Sequence, residues 1–207
     1  MDIPKFLIYV DVDGVMTPCR KLMQCVQPKT KGMPDTRWYK EFSDRDSFVM
    51  MRLQEQLVFI SHDKRNKHFC NYKKHKFVYA PHSAGDKFNV LLQDWKHRIE
   101  NKEVRGNPND PTYVYLGDAP FDWQCLLNSK HGFVPSDSSS LLLTKMKMAN
   151  KKHIETLKAP GGAGCLEEAI LRLHASGAYL KDKIFKKEDG KVIKVFDDIE
   201  KYLGSMS

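Results

Sequence analysis

Two aspartates separated by one residue, Asp11 and Asp13, stand where the apolar run KFLIYVD at 5–11 gives way to the glycine-containing stretch DVDGV. In an extended segment, residues i and i+2 point to the same side, so both carboxylates can face one site. Such a pair can divide labour as nucleophile and general acid, provided a cation offsets their repulsion. Gly14 follows, and a glycine lets the backbone turn sharply beneath a ligand. A second acidic pair, Asp118 and Asp122, follows YVYLG in the pattern GDxxxD. Together these carboxylates offer hard oxygen ligands. Mg²⁺ is the natural fit, because one or two carboxylates commonly hold it while water and substrate phosphate complete its shell.

Two further residues suit a phosphoryl group. Ser61 follows the apolar run LVFI, where its hydroxyl and the adjacent backbone N–H groups can bind phosphoryl oxygens, and Lys87 opens a long helical stretch. An ammonium at that place neutralises phosphate charge and restrains a nucleophilic carboxylate. Taken singly, each feature has a plainer reading. A lone DxD is often a turn, Ser61 a helix cap, Lys87 a solvated charge, and GDxxxD a loop with acidic residues favouring a helix dipole. Their joint order, each after a strand or at a helix start, is what coincidence explains poorly.

The elements that must position them alternate. Short apolar runs at 5–11, 57–60 (LVFI), 77–80 (FVYA), 113–116 (YVYL) and 132–134 (GFV) read as strands covered on both faces. Helical spacing occupies 46–56 and 86–100, where Phe88, Leu91, Leu92 and Trp95 recur three and four apart, and the stretch after Gly161 continues through Leu166, Ala169, Ile170 and Leu173. This order predicts an α/β doubly wound, Rossmann-like parallel sheet, with its crevice outside the carboxyl ends of the strands. Residues 17–43 hold mixed polarity and no sustained period; they read as a flap or β-hairpin in place of a cap domain. Residues 101–111 (NKEVRGNPNDP) are a surface loop. The expected organisation is one catalytic domain over 1–174 and a basic extension over 175–207, packed on or beside it, whose DGK turn joins two short elements.

Composition sets the remaining bounds. The 207 residues are 41% hydrophobic and 29% charged, ordinary for a folded domain with a full core. No apolar run approaches the roughly 20 residues of a membrane span, and the start lacks the features of a signal peptide, so a soluble cytoplasmic protein without a membrane partner is expected. Five cysteines without a C-x-x-C pair read as reduced thiols. The net charge of +8 suits anionic partners: a small phosphorylated substrate first, with nucleic acid a less favoured possibility. His62, His68, His75 and His82 follow no zinc pattern and read mainly as surface or pocket histidines, with His62 the best placed for substrate contact. Phe121 and Trp123 either line the pocket or pack in the core.

DVDGV at 11–15, Ser61, Lys87 and GDxxxD at 117–122 resemble the four motifs of haloacid dehalogenase-like phosphatases. DVDGVMT, Arg45-Asp46 and PGGAG at 160–164 are similar to the capless 3-deoxy-octulosonate 8-phosphate phosphatases and to related domains of sialic-acid-activating enzymes. The resemblance spans about residues 5–172. It implies that Asp11 attacks phosphorus, that Asp13 protonates the leaving alcohol and then activates water, and that Ser61 and Lys87 bind the phosphoryl group. It also implies a Mg²⁺ site of Asp11, the Asp13 carbonyl and Asp118, supported by Asp122, and a homo-oligomer, usually a tetramer. Gly14, Arg45, His62 and Arg65 are the expected substrate-side residues. The departures fall on recognition: Ser61-His62-Asp63 replaces the family's Thr-Gly-Arg, Ala119 replaces a second aspartate, and Ala163 and Glu167 stand where arginines are common. Losing those cations weakens the case for an acidic sugar, because a bidentate guanidinium is a favoured carboxylate partner. The expected activity is a phosphomonoesterase acting on a sugar phosphate or similar metabolite. The alternatives are a phosphatase of nucleotides or nucleic-acid 3′ ends, and a non-catalytic phosphate-binding module.

Overall fold

Alternate side chains of the first strand, β1 (Leu7–Asp11), part into two separate cores, as a period of two requires of a strand covered on both faces. The computed structural model describes residues 3–18, 22–26, 35–39, 42, 45–82, 86–175, 185–188 and 191–194. After β1 come an antiparallel pair, β2 (Leu22–Val26) and β3 (Asp35–Tyr39), then α1 (Ser47–Arg52), β4 (Leu57–Ser61), α2 (Asn66–Tyr72), β5 (Lys76–Tyr79) and α3 (Lys87–Glu100). The chain continues through β6 (Tyr113–Leu116), α4 (Trp123–Leu127), β7 (His131–Val134), α5 (Ser140–Ala149), β8 (Ile154–Thr156) and α6 (Cys165–Ala175). A second antiparallel pair, β9 (Phe185–Glu188) and β10 (Lys191–Lys194), follows.

Six strands form one parallel sheet in the order β5-β4-β1-β6-β7-β8. The chain winds outward from β1 to one edge, then returns through α3 to β6 and winds to the other, which makes the carboxyl end of β1 the switch point. Ile8 and Val10 face a core shared with Val49 and Met50 of α1, Cys70 of α2 and Leu166, Ala169 and Ile170 of α6. Leu7 and Tyr9 face the other, with Leu91 and Trp95 of α3, Cys125 and Leu126 of α4 and Leu142 of α5. A fully buried leucine such as Leu91 contributes about 1.5–3 kcal/mol. The doubly wound α/β sheet expected from the sequence is thus the one found, with strand ends within a residue or two of those read.

Two polar devices fix the helices. Below the sheet, Tyr9 Oη donates to Asp94 Oδ2 at 2.7 Å, and Arg98 bridges Asp94 (2.6 Å) and Glu103 (2.7 Å). On the opposite face, buried Asp46 accepts the Glu167 N–H at 3.0 Å, satisfying a free donor in the first turn of α6 from 121 residues away. Burial outweighs that bond and pushes the Asp46 carboxyl up to about 6.

The flap expected at 17–43 contains the β2–β3 hairpin; residues 19–21, 27–34, 40, 41 and 43 lie outside the described residues. Of the basic extension, β9 and β10 flank the expected turn, while 176–184, 189–190 and 195–207 also lie outside them. Among the described residues no helix is long and apolar enough to cross a membrane. Cys70, Cys125 and Cys165 are free and buried; Cys19 lies outside the described residues. His75 differs from its expected place on the surface or in a pocket: it is buried edge-on to Phe59, and that burial lowers its pKa to about 4.

Candidate active site

Asp11 ends β1, and the register carries its neighbours to the same edge. Asp11 pairs with Ile60, so Ser61 stands one residue beyond on β4, and Val10 pairs with Leu116, so Asp118 stands just past β6. After Asp11 the chain makes a wide turn closed by the Thr17 N–H on the Val12 carbonyl at 3.2 Å. Gly14 takes φ +84 within it, a conformation that disfavours other residues. The close approach matters as much as the angle: a Cβ on Gly14 would lie 2.1 Å from Asp118 Oδ2, so Asp118 rests directly on the turn. Behind it, Gly161 and Gly162 of the PGGAG segment abut Gly14 and Pro18, and the Gly162 N–H donates to the Val15 carbonyl at 2.8 Å.

Lys87 supplies the cation. The Asp86 side chain caps α3 by accepting the Phe88 N–H at 3.1 Å, and Lys87 is the first helical residue. A cation is disfavoured at a helix N-terminus by about 0.3–1 kcal/mol. Carboxylates overcome this: Lys87 Nζ lies 2.9 Å from Asp11 Oδ2 and 2.7 Å from Asp122 Oδ1, all three groups being buried. Burial lowers the Lys87 pKa, but Asp11 and Asp122 outweigh it and the net shift is upward. Burial pushes Asp11 well above the usual carboxylate range, against the pull of Lys87 and with help from Asp122 and Asp118. Asp122 is buried too, yet Lys87 and its other donors hold its pKa below the ordinary value.

Asp122 is fully engaged by those donors. Its Oδ1 takes Lys87 and the Tyr115 hydroxyl (2.7 Å), while Oδ2 accepts the N–H groups of Asp118 (3.1 Å) and Ala119 (3.0 Å). It therefore fixes the ammonium and the Asp118 loop. One oxygen from each of Asp11, Asp118 and Asp122 lies within 4.8 Å of the others. That set of hard oxygen donors fits a divalent cation, with Asp11 and Asp118 having the better claim to it, since the four donors on Asp122 leave it little capacity to coordinate.

Asp13 points toward a residue the sequence reading missed. Asn66, buried at the start of α2, donates from Nδ2 to Asp13 Oδ2 and to Ser61 Oγ, both at 2.8 Å. Ser61 Oγ also accepts the Asp63 N–H at 2.9 Å and lies 3.4 Å from Asp13 Oδ2. Asn66 sits in the polar run NKHFCNY, where only its burial, invisible in the sequence, marks it.

A cavity of about 490 Å³ opens over these groups, lined by Asp11, Asp13, Gly14, Ser61, Asp118 and, farther out, Pro18, His62, Arg65, His82 and Phe121. Arg65 is engaged by Asp63 through paired contacts of 2.8–3.1 Å. Arg45 is exposed, close to Gly164, and is not among the lining residues. Trp123 borders a second cavity of about 220 Å³, which shares His62 and Phe121 with the first.

By sequence, the chain matches no family model and no curated protein. Solved structures do match. The 3-deoxy-D-manno-octulosonate 8-phosphate phosphatase from Yersinia pestis superposes with a TM-score of 0.58 at 20% identity, covering 91% of this chain and 88% of that one. The Moraxella catarrhalis phosphatase of the same name, in complex with magnesium ion, phosphate ion and a KDO molecule, gives 0.57 at 12% identity over 98% and 94%. The cobalt-bound Haemophilus influenzae phosphatase gives 0.51 at 18% identity over 87% and 94%. At such identities the likeness shows the fold, which is that of the haloacid dehalogenase-like hydrolases.

Proposed function

We propose that this chain, built on that fold, is a Mg²⁺-dependent phosphomonoesterase working through a phosphorylated Asp11. One observation carries the reading: a buried carboxylate at the switch point of the sheet, 2.9 Å from a buried ammonium and close to a second carboxylate, at the floor of an open cavity. Asp11 attacks phosphorus, the P–O ester bond breaks, and its electron pair leaves on the alcohol oxygen, to which Asp13 gives a proton. Asp13 then removes a proton from water, which attacks phosphorus and releases inorganic phosphate and free Asp11. Lys87 keeps the nucleophile oriented and offsets charge on the transferring group, while Asn66 and Ser61 hold Asp13 on the cavity side. Asp11, Asp118 and the Asp13 carbonyl would hold Mg²⁺, which supplies charge neutralisation at the phosphoryl oxygens when bound. The substrate is a small phosphorylated metabolite.

Two measurements test this. Phosphate release is expected to stop in EDTA and return with Mg²⁺, and acid-quenched turnover is expected to leave a phosphorylated peptide containing Asp11, detected by mass spectrometry. Turnover that ignores EDTA, or that labels a different residue, would sink the mechanism. A Gly14→Ala substitution bears on the cation separately. Its Cβ would displace the Asp118 carboxylate and strain the φ +84 backbone, so Mg²⁺ affinity by calorimetry is expected to fall about 10–100-fold. Unchanged affinity would mean that Asp118 does not serve as a ligand.

A further inference from the structure

Beyond the phosphoryl site the cavity wall turns aromatic. His62, directly after Ser61, stacks on His82 with ring centroids 4.1 Å apart and planes 16° from parallel. Phe121 stands edge-on to both, 5.5 Å from each centroid at 79° and 65°, and is 60% exposed although apolar. The three rings make a corner with two walls nearly at right angles, and His62 and Phe121 are also the partition between the two cavities. An exposed phenylalanine costs solvation unless something covers it, and here it stands on the rim of a site rather than alone on the surface.

Charge sharpens the reading. The guanidinium on this side belongs to Arg65, held by both oxygens of Asp63, and Lys87 is committed to Asp11 and Asp122. His62 places Nδ1 against the Ala80 carbonyl, so its proton sits there. Its Nε2 is buried without a hydrogen-bond partner among the described residues, so His62 offers the cavity its ring rather than a polar edge. The wall beyond the phosphoryl group is therefore built of ring faces and ring edges. This suits a flat uncharged group that can lay a π-face on those rings, and does not suit a second carboxylate.

The geometry points to a leaving group that carries a planar heteroaromatic base: the substrate class is a nucleoside monophosphate, the base lying against the His82–Phe121 corner while its phosphate meets Asp11. The inference rests on the phosphomonoesterase reading and replaces the plain sugar phosphate expected from the sequence with a sugar phosphate bearing a base. The same chemistry exists free and at the end of a nucleic-acid strand, and the recognition would be sequence-tolerant, because every base has a π-face.

The test compares adenosine and thymidine 5′-monophosphates, their 3′-monophosphates, ribose 5-phosphate and short oligonucleotides phosphorylated at either end, using the full chain with Mg²⁺. Stacking on an aromatic side chain supports a preference of about tenfold or more in kcat/KM for the base-bearing ester over ribose 5-phosphate. That ratio is expected to collapse toward one in Phe121→Ala, chiefly through KM, and to be restored in Phe121→Trp. The free and oligonucleotide arms identify the source of the base. Equal kcat/KM with and without the base, or a ratio unmoved by Phe121→Ala, overturns the inference. Binding of the monophosphates and of ribose 5-phosphate to Asp11→Asn, read by calorimetry, separates the two claims. Base-dependent binding without turnover by the unsubstituted protein keeps the corner and removes the phosphatase. Turnover without base dependence does the reverse, and neither binding nor turnover removes both.

Discussion

Asp11→Asn is expected to lower Mg²⁺-dependent phosphate release by roughly a thousandfold or more, because an amide oxygen is a poor nucleophile and the covalent step has no substitute at the end of β1. The same change is expected to raise the melting temperature in EDTA. The sign follows from the shift: a carboxyl whose folded pKa stands above its unfolded value favours the fold when neutral and opposes it once ionised, so the penalty appears as pH rises past the unfolded value. Asparagine keeps the shape and removes the charge. It leaves Lys87 paired with Asp122 and relieves repulsion from Asp118 and Asp122. A variant that is inactive and also less stable would show that Asp11 is structural in a way its surroundings do not predict.

Lys87→Met is expected to be the most destabilising single change in the site. It strands Asp11 and Asp122, both buried, without the cation that compensates them, and breaking such a group by removing one partner typically costs about 3–5 kcal/mol. For a chain of this size that is a fall in melting temperature of about 10 °C, with activity lost as well. The loss is expected to be smaller by about 0.5–3 kcal/mol when Lys87→Met is made on top of Asp11→Asn, since one of the two stranded charges is then gone. Additive costs, measured by urea unfolding of the four proteins, would mean that the ammonium and the nucleophile do not act as a unit.

Much of this arrangement was legible in the sequence because the inner strands are covered on both faces. LIYV, LVFI and YVYL could hardly be anything but buried strands, and once they are neighbours Asp11, Ser61 and Asp118 must arrive at one edge. Lys87 was legible for a different reason, the helical period that begins at its own position. The losses have physical causes too. α2 and α4 are single short helices of seven and five residues, and β8 is three residues long, all too short to show a period. Asn66 and the aromatic corner were hidden because they depend on packing. His62 and His82 are far apart in the chain and meet only because β4 and β5 lie side by side, with Ser61 opposite Tyr79. Arg45, expected beside the substrate, lies near Gly164 and is not among the residues lining the cavity.

The turn after β1 leans on a segment made much later. Gly161 and Gly162 press against Gly14 and Pro18, and Asp46 finds its donor only at Glu167. During synthesis the acidic turn leaves the ribosome well before the PGGAG segment and α6, and lacks its backing until they have emerged. Closing such distant contacts late is entropically slow, which places completion of the turn near the end of the domain's assembly. A partly synthesised chain thus carries every acidic residue of the DVDGV turn and still lacks the support that shapes it.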